Sequence, residues 1–209
     1  MPIPGREEVR RSLSRFVETP GARLLKMLGV SPNAITLIGF AVCVVAAYLV
    51  SSGWLLAGGL VFLAGGGLDM FDGALARMTG KDSSFGALLD SVFDRLGEAA
   101  LFVGIGLYVL DAGFGEGFQR IYMVIILLAL IFSQGVSYLR ARGEGLGAFT
   151  RDGLMTRTER VIILGGGLVA DGLTTFPLMP WILLVVAIVS CFTLFQRMWT
   201  IRGLLDENG

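Results

Sequence analysis

Long apolar stretches dominate this sequence and limit what it can fold into. Crossing roughly 30 Å of hydrocarbon as a helix takes about 20 residues, and five stretches reach that length, while a sixth is shorter. The six stretches lie near 34–52, 55–76, 85–110, 120–139, 159–175 and 179–199. The sequence therefore predicts an all-α integral membrane protein built as a bundle of six transmembrane helices.

The composition supports lipid as the main solvent of this chain. Hydrophobic residues make up 54% and charged residues only 16%, and the mean hydropathy is +0.74. The 30 glycines, many of them inside apolar runs, suit helices that approach one another closely. The net charge is zero, so no electrostatic attraction favours a nucleic-acid partner. Histidine is absent, so catalysis would have to use carboxylates, hydroxyls, Arg or Lys.

The placement of charged residues predicts the structure of the N-terminal segment and the side of the membrane on which both termini lie. The first 30 residues combine arginines with Val9, Leu13 and Phe16 at helical spacing, which predicts an interfacial amphipathic helix, with a solvated arm as the alternative. Six of the 17 Lys and Arg precede the first stretch, whereas the connections on the opposite side hold only Arg120. By the positive-inside rule, both termini would be cytoplasmic in a multi-pass protein of the cell membrane. The predicted organisation is a juxtamembrane helix at 1–30, a six-helix membrane domain at 31–203 and a tail at 204–209.

Four aspartates interrupt the second and third apolar stretches. An Asp at the centre of a membrane helix costs roughly 2.5–3.5 kcal/mol, so these residues are functional candidates. Asp69 and Asp72 are spaced i, i+3, and Asp90 and Asp94 are spaced i, i+4, so each pair shares a helix face. An antiparallel hairpin that turns near position 81 would bring the two pairs level with each other. Four such carboxylates need compensating cations, and their oxygen ligands favour a two-metal site for Mg²⁺ or Mn²⁺.

Small and basic residues accompany the aspartates. Gly73 and Ala76 would leave room for a bulky ligand, and Arg77 offers a planar fork to a phosphate. The full spacing is Asp69-x2-Asp72-Gly73-x2-Ala76-Arg77-x8-Gly86-x3-Asp90-x3-Asp94. This pattern resembles the signature of the CDP-alcohol phosphotransferases at all eight fixed positions, and the resemblance extends over nearly the whole chain.

The resemblance implies a homodimeric enzyme that uses the hydroxyl of a polar alcohol to displace CMP from a CDP-linked lipid. It implies two metal ions per subunit, Mg²⁺ with Mn²⁺ as the alternative, the first held by Asp69, Asp72 and Asp90. The second ion would be held by Asp69, Asp90 and Asp94, and Asp94 would also accept the proton of the attacking hydroxyl. The resemblance places the CDP-lipid at Pro32, Asn33, Ala34, Ile35, Gly73, Ala76, Arg77, Ser83 and Gly86.

The acceptor alcohol has to be inferred from the last three stretches. Arginines near their ends suit a phosphorylated acceptor, because guanidinium binds phosphate bidentately, although positive-inside anchoring is the alternative explanation. The segments from Ser137 to Gly147 and from Thr156 to Arg160 resemble those of phosphatidylinositol-phosphate and archaetidylinositol-phosphate synthases. That resemblance implies inositol 1-phosphate as the acceptor, with its phosphate held by Ser137, Arg140, Arg142, Arg157, Arg160 and Arg197.

Other functions remain open from the sequence. A phosphatidylglycerophosphate synthase, which uses glycerol 3-phosphate, is the nearest alternative, and a phosphatidylserine synthase is less favoured. A cation transporter would also explain four intramembrane aspartates, and CMP release would separate an enzyme from a transporter. The sequence leaves open whether the lipid is ester-linked diacylglycerol or ether-linked archaeol.

Overall fold

The computed structural model of this chain describes residues 27, 29–80, 83–150 and 153–208, although the side chains of residues 69, 70, 72, 77, 79, 207 and 208 fall outside that description. Its helices are α1 Pro32–Ser51, α2 Leu55–Thr79, α3 Ser84–Asp111, α4 Glu116–Gly145, α5 Arg157–Leu173 and α6 Met179–Asn208. The described ranges contain no strand, which confirms the all-α prediction. The juxtamembrane helix predicted for 1–30 lies almost entirely outside the described residues.

Four of these helices, α1, α2, α4 and α6, are long and apolar enough to cross a membrane. The protein is therefore a membrane protein. Within the described part of the chain, α3 and α5 do not meet that standard. The charged residues Asp90, Asp94, Arg95 and Glu98 lower the hydropathy of α3, and α5 has only 17 residues. The number of six spans stays a prediction.

Serine caps begin both α1 and α3. The Ala34 amide donates a 3.2 Å hydrogen bond to Ser31 Oγ, and Pro32 occupies the first turn, where its missing N–H costs nothing. The Gly86 amide donates to Ser83 Oγ at 3.0 Å in the same way. The two helices therefore begin at positions that the local sequence specifies.

The connection between α2 and α3 is short. Gly80 ends α2 in the left-handed conformation (φ 62°), which glycine adopts without steric cost, and its amide donates to the Ala76 carbonyl. This turn lies where the sequence predicted one. However, the described residues of α2 and α3 approach each other far less closely than either helix approaches α1. The predicted hairpin thus has α1 packed against both of its helices.

Glycines allow the closest helix contacts. A Cβ added to Gly104 on α3 would lie 2.4 Å from the Ala47 carbonyl oxygen on α1, and one added to Gly59 on α2 would lie 2.8 Å from the Gly165 carbonyl oxygen on α5. Such approaches between backbones are typical of membrane helices, which associate mainly by close packing.

The helices form two packed groups. The first group contains α1, α2, α3 and α5, held by extensive contacts of α1 with α2 and α3 and of α2 with α5, and the second contains α4 and α6. Contacts between the groups, α3 with α4 and α5 with α6, are much less extensive. A large apolar core that includes Phe62, Phe102, Tyr122, Leu164 and Leu183 nevertheless runs through both groups.

Candidate active site

The start of α1 meets the start of α3. A Cβ added to Gly86 would lie 3.2 Å from Asn33 Oδ1 and 3.1 Å from Ser83 Oγ, so these three residues line one small polar region. The N-termini of α1 and α3 thus lie together, and the amide groups and dipole of a helix N-terminus favour an anion. Three of the residues predicted to bind the CDP-lipid, Asn33, Ser83 and Gly86, therefore lie close together.

The end of α2 packs against the same region. Ile35 is 2% exposed and belongs to a small apolar cluster with Ala74 and Leu75 of α2. Gly73 and Ala76 flank these two residues and are partly buried. The start of α1 therefore packs through Ile35 against the turn of α2 that carries Gly73 and Ala76, whereas the side chain of Arg77 is outside the described part of the structure. That these residues bind a CDP-lipid stays a prediction.

A stripe of three carboxylates runs along α3. Asp90, Asp94 and Glu98 are spaced by four residues, which corresponds to about 6 Å per step along the helix axis. Asp90 and Asp94 are partly buried, and Glu98 is 2% exposed. Arg157 Nη2 of α5 lies 2.6 Å from Asp94 Oδ1, so a predicted acceptor residue pairs directly with a predicted metal ligand.

The predicted metal site combines this stripe with α2. Asp69 and Asp72 occupy positions i and i+3 near the C-terminal end of α2, but their carboxylates lie outside the described side chains. The described side chains alone contain no cluster of three potential ligands. In chemical terms the set fits a hard divalent cation, because all four predicted donors are carboxylate oxygens and two of them are one turn apart on α3. The four-aspartate metal site remains a prediction.

Three arginines converge on one turn of α4. Arg160 Nη2 donates to Ser137 Oγ at 3.1 Å, and Arg197 Nη1 donates to the Val136 carbonyl at 2.9 Å. Arg95 Nη2 donates to the Ser137 carbonyl at 3.1 Å. Arg160 is 0% exposed and Arg197 is 3% exposed, so ordinary interfacial anchoring does not explain them. We call Arg95, Arg160 and Arg197, together with Ser137, the arginine cluster.

Sequence reasoning found part of the arginine cluster and missed part. Ser137, Arg160 and Arg197 were predicted together and are together here. Arg95 and the nearby Glu98 were missed. Both are charged residues within the third apolar stretch, a signal that could have identified them.

Glu98 binds Arg160 through two hydrogen bonds. Arg160 Nε lies 2.5 Å from Glu98 Oε1, and Arg160 Nη2 lies 2.8 Å from Glu98 Oε2. A buried charge is tolerated when it is paired and hydrogen-bonded, and this fork geometry fulfils both conditions. The pair joins α3 to α5 one turn beyond the pair between Asp94 and Arg157.

The two remaining predicted acceptor arginines lie elsewhere. Arg140 is about half exposed and pairs with Glu144 at 3.0 Å through an i, i+4 contact on the surface of α4. Arg142 is exposed. The structure does not bring these two guanidinium groups to the arginine cluster.

A narrow cavity lies beside the pair between Asp94 and Arg157. Its walls come from α1, α2, α3 and α5, and Asp94, Glu98 and Arg157 line it together with apolar residues and several glycines. Phe40 and Phe93 also line it and are in aromatic contact, with ring centroids 5.0 Å apart. The stripe on α3 thus provides carboxylates for metal binding or proton transfer. The arginine cluster next to it provides cationic hydrogen-bond donors for a phosphate.

Comparison with known proteins connects this geometry to a family. The family model described as CDP-alcohol phosphatidyltransferase matches residues 29–193. The phosphatidylinositol phosphate synthase of Mycobacterium tuberculosis is 33% identical over 205 residues, which cover 91% of this chain and 89% of the relative. The archaetidylinositol phosphate synthase of Pyrococcus horikoshii is 35% identical over 202 residues, covering 96% of both proteins.

Solved structures of the mycobacterial synthase share the fold. The crystal structure with CDP-DAG bound has a TM-score of 0.79 at 32% identity and covers 88% of this chain and 93% of that chain. The structure in complex with manganese and citrate has a TM-score of 0.80, also at 32% identity, and covers 88% of both chains. The resemblance inferred from the aspartate pattern is confirmed, and the protein is a membrane transferase of phospholipid biosynthesis. This chain belongs to the CDP-alcohol phosphatidyltransferase family.

Proposed function

We propose that this enzyme transfers a phosphatidyl-type group from a CDP-linked lipid to inositol 1-phosphate and releases CMP. The observation that carries the choice of acceptor is the arginine cluster, in which buried Arg160 contacts Ser137 and buried Arg197 contacts the adjacent Val136 carbonyl. Buried guanidinium groups favour an acceptor that carries a phosphate. The names of the mycobacterial and archaeal relatives support an inositol phosphate product.

In this proposal the CDP-lipid lies where α1 and α3 begin. The first turn of α1 lies beside Ser83 and Gly86, and the dipoles of the two helix N-termini favour the negative charge of the diphosphate. Gly73 and Ala76 keep the surface of α2 flat enough for close approach, and Arg77 supplies a cation. A relative whose solved structure has CDP-DAG bound supports this part of the proposal.

Asp69, Asp72, Asp90 and Asp94 would hold two Mg²⁺ ions per subunit, with Mn²⁺ as the alternative. When bound, the two ions would neutralise the charge that develops on the departing CMP. A solved relative in complex with manganese supports a divalent metal in this family. Asp94 accepts the proton from the attacking hydroxyl, and Arg157 at 2.6 Å holds that carboxylate in position.

The acceptor phosphate is bound by Ser137, Arg160 and Arg197. This placement orients the polyol so that a ring hydroxyl faces Asp94, and orientation of this kind supplies much of the catalysis in phosphoryl transfer. Arg140 and Arg142 would form an outer part of the acceptor site at the end of α4. We further propose that the active site and both termini are cytoplasmic and that the enzyme is a homodimer.

The test is a substrate panel with purified protein. CDP-diacylglycerol or CDP-archaeol would each be combined with inositol 1-phosphate, glycerol 3-phosphate or serine, and CMP release would be measured. We expect turnover with inositol 1-phosphate to exceed turnover with the other two acceptors. A preference for glycerol 3-phosphate would show instead that the enzyme is a phosphatidylglycerophosphate synthase. The comparison of CDP-diacylglycerol with CDP-archaeol would identify the lipid tails that the enzyme uses.

A further inference from the structure

We propose that Glu98 is a positioning residue that fixes the guanidinium of Arg160 for the acceptor phosphate. This inference rests on the proposed function, because it requires a phosphorylated acceptor. It adds a buried carboxylate of α3 to the acceptor site, next in the stripe after Asp94.

The buried pair of Glu98 and Arg160 has a fixed geometry. Glu98 engages Arg160 through Nε at 2.5 Å and Nη2 at 2.8 Å, and Nη2 also donates to Ser137 Oγ. These contacts occupy one edge of the guanidinium and fix its plane. A flexible arginine would have to lose side-chain entropy on binding a phosphate, whereas this one is already ordered.

These contacts leave one edge of the Arg160 guanidinium unused. Arg160 Nη1 is buried and has no hydrogen-bond partner among the described residues. A buried N–H donor without an acceptor is unfavourable, and native structures rarely keep one without a reason. A phosphate oxygen of the acceptor would supply the missing partner, while Glu98 and Ser137 accept the hydrogen bonds from Nε and Nη2.

The spacing of the carboxylates on α3 matches the spacing of the arginines on α5. Asp94 and Glu98 are one turn apart on α3, and Arg157 and Arg160 are one turn apart on α5, so each arginine has its own carboxylate. Glu98 therefore serves Arg160 in the way that Asp94 serves Arg157, and Asp94 does not have to balance both charges.

The decisive experiment measures KM separately for each substrate. Glu98→Gln removes the negative charge that holds the Arg160 guanidinium in place. The KM for inositol 1-phosphate should therefore rise about tenfold or more, as expected for loss of a charge-assisted contact. The KM for CDP-diacylglycerol should stay within about twofold, because the lipid site lies at the starts of α1 and α3. Glu98→Asp, which keeps the charge but shortens the reach, should show a smaller rise. Glu116→Gln, which removes the exposed partner of Arg120 on α4, is the matched control and should leave both KM values unchanged.

A double-substitution cycle tests whether Glu98 acts through Arg160. Arg160→Gln alone should raise the acceptor KM, and adding Glu98→Gln should then have little further effect, because the two residues share one interaction. The double variant also removes both buried charges together, so it is expected to fold even if Glu98→Gln alone does not.

The results separate the possible failures. If the wild-type enzyme uses a phosphorylated acceptor and Glu98→Gln keeps its acceptor KM, the positioning role is wrong while the proposed function stands. Additive effects in the cycle, or a loss of thermal stability with both KM values unchanged, would also overturn it. Wild-type turnover with serine alone would overturn the proposed function and this inference with it.

Discussion

Arg157 of α5 and Asp94 of α3 form an ion pair with a nitrogen to oxygen distance of 2.6 Å, and both side chains are largely buried. The pair fixes the carboxylate that we propose as the proton acceptor relative to the helix that carries Arg160. Because the chain between the two residues is long, neither the pair nor its position could be recognised from local sequence.

Asp90→Asn should abolish turnover and metal-dependent binding of the CDP-lipid. The substitution keeps the volume and removes the charge of a residue proposed to bridge two cations, and a hard ion depends strongly on that charge. CMP release and metal-dependent thermal stabilisation would be measured together. Asp111→Asn, at the exposed opposite end of α3, is the control. Near-normal activity in Asp90→Asn would eliminate the two-metal proposal.

Asp94→Asn should separate binding from chemistry. A positioned general base contributes about 10²–10⁴-fold, so turnover should fall by that range. Binding of CDP-diacylglycerol should persist, because Asp69, Asp72 and Asp90 remain for the first ion. Stabilisation of the purified variant by CDP-diacylglycerol would report binding, and CMP release would report turnover. Equal loss of the two would make Asp94 mainly a metal ligand.

Buried and surface arginines should differ in their effect on the acceptor. Arg197→Gln should raise the KM for inositol 1-phosphate about ten- to a hundredfold, because a charge-assisted hydrogen bond is worth roughly 1.5–3 kcal/mol. Arg140→Gln should have a much smaller effect, since its partner Glu144 is on the surface and exposed pairs contribute about 0–1 kcal/mol. The KM for the CDP-lipid should not change in either variant. Equal acceptor KM values in the two variants would refute this difference.

Chelation should remove activity, and Mg²⁺ should restore it. A purified sample would be treated with a chelator, exchanged into metal-free buffer and titrated with Mg²⁺ or Mn²⁺ while CMP release is followed. Activity that persists after complete chelation would contradict a divalent metal at the four aspartates.

Gly104→Ala should destabilise the first helix group without a direct effect on chemistry. Its added Cβ would meet the Ala47 carbonyl oxygen at 2.4 Å, and backbone atoms cannot move as easily as a side-chain end. Overpacking of this kind costs about 1–3 kcal/mol. Gly166→Ala is the control, because nothing lies within 4 Å of a Cβ at that position of α5. The midpoint of thermal unfolding in detergent should fall in Gly104→Ala and not in Gly166→Ala.

The sequence predicted the helices well because their signals are local. Long apolar runs and the turn near position 81, which the structure has at Gly80, each depend on a few neighbouring residues. The spacing of Asp90 and Asp94 likewise fixes which helix face they share. These features needed no knowledge of which helices pack together.

Long-range pairing could not be predicted in the same way. Glu98 and Arg160 are 62 positions apart, and they meet only because α1 and α2 hold α3 and α5 in one helix group. The sequence placed Arg140 with Arg160, although Glu144 lies one turn after Arg140 and could have indicated a local surface pair. The position of α1 against both α2 and α3 also depends on close approach at glycines, which the sequence indicates only in general.

The arginine cluster lies on the boundary between the two helix groups. Arg95 and Arg160 belong to the first group, whereas Ser137 and Arg197 belong to the second, and elsewhere the groups share few contacts. A phosphate held by Arg160 and Arg197 would therefore add a link between two helix groups that share few other contacts. Acceptor binding is therefore expected to stabilise the packing of α4 and α6 against the rest of the bundle, so that the substrate contributes to the cohesion of the protein that modifies it.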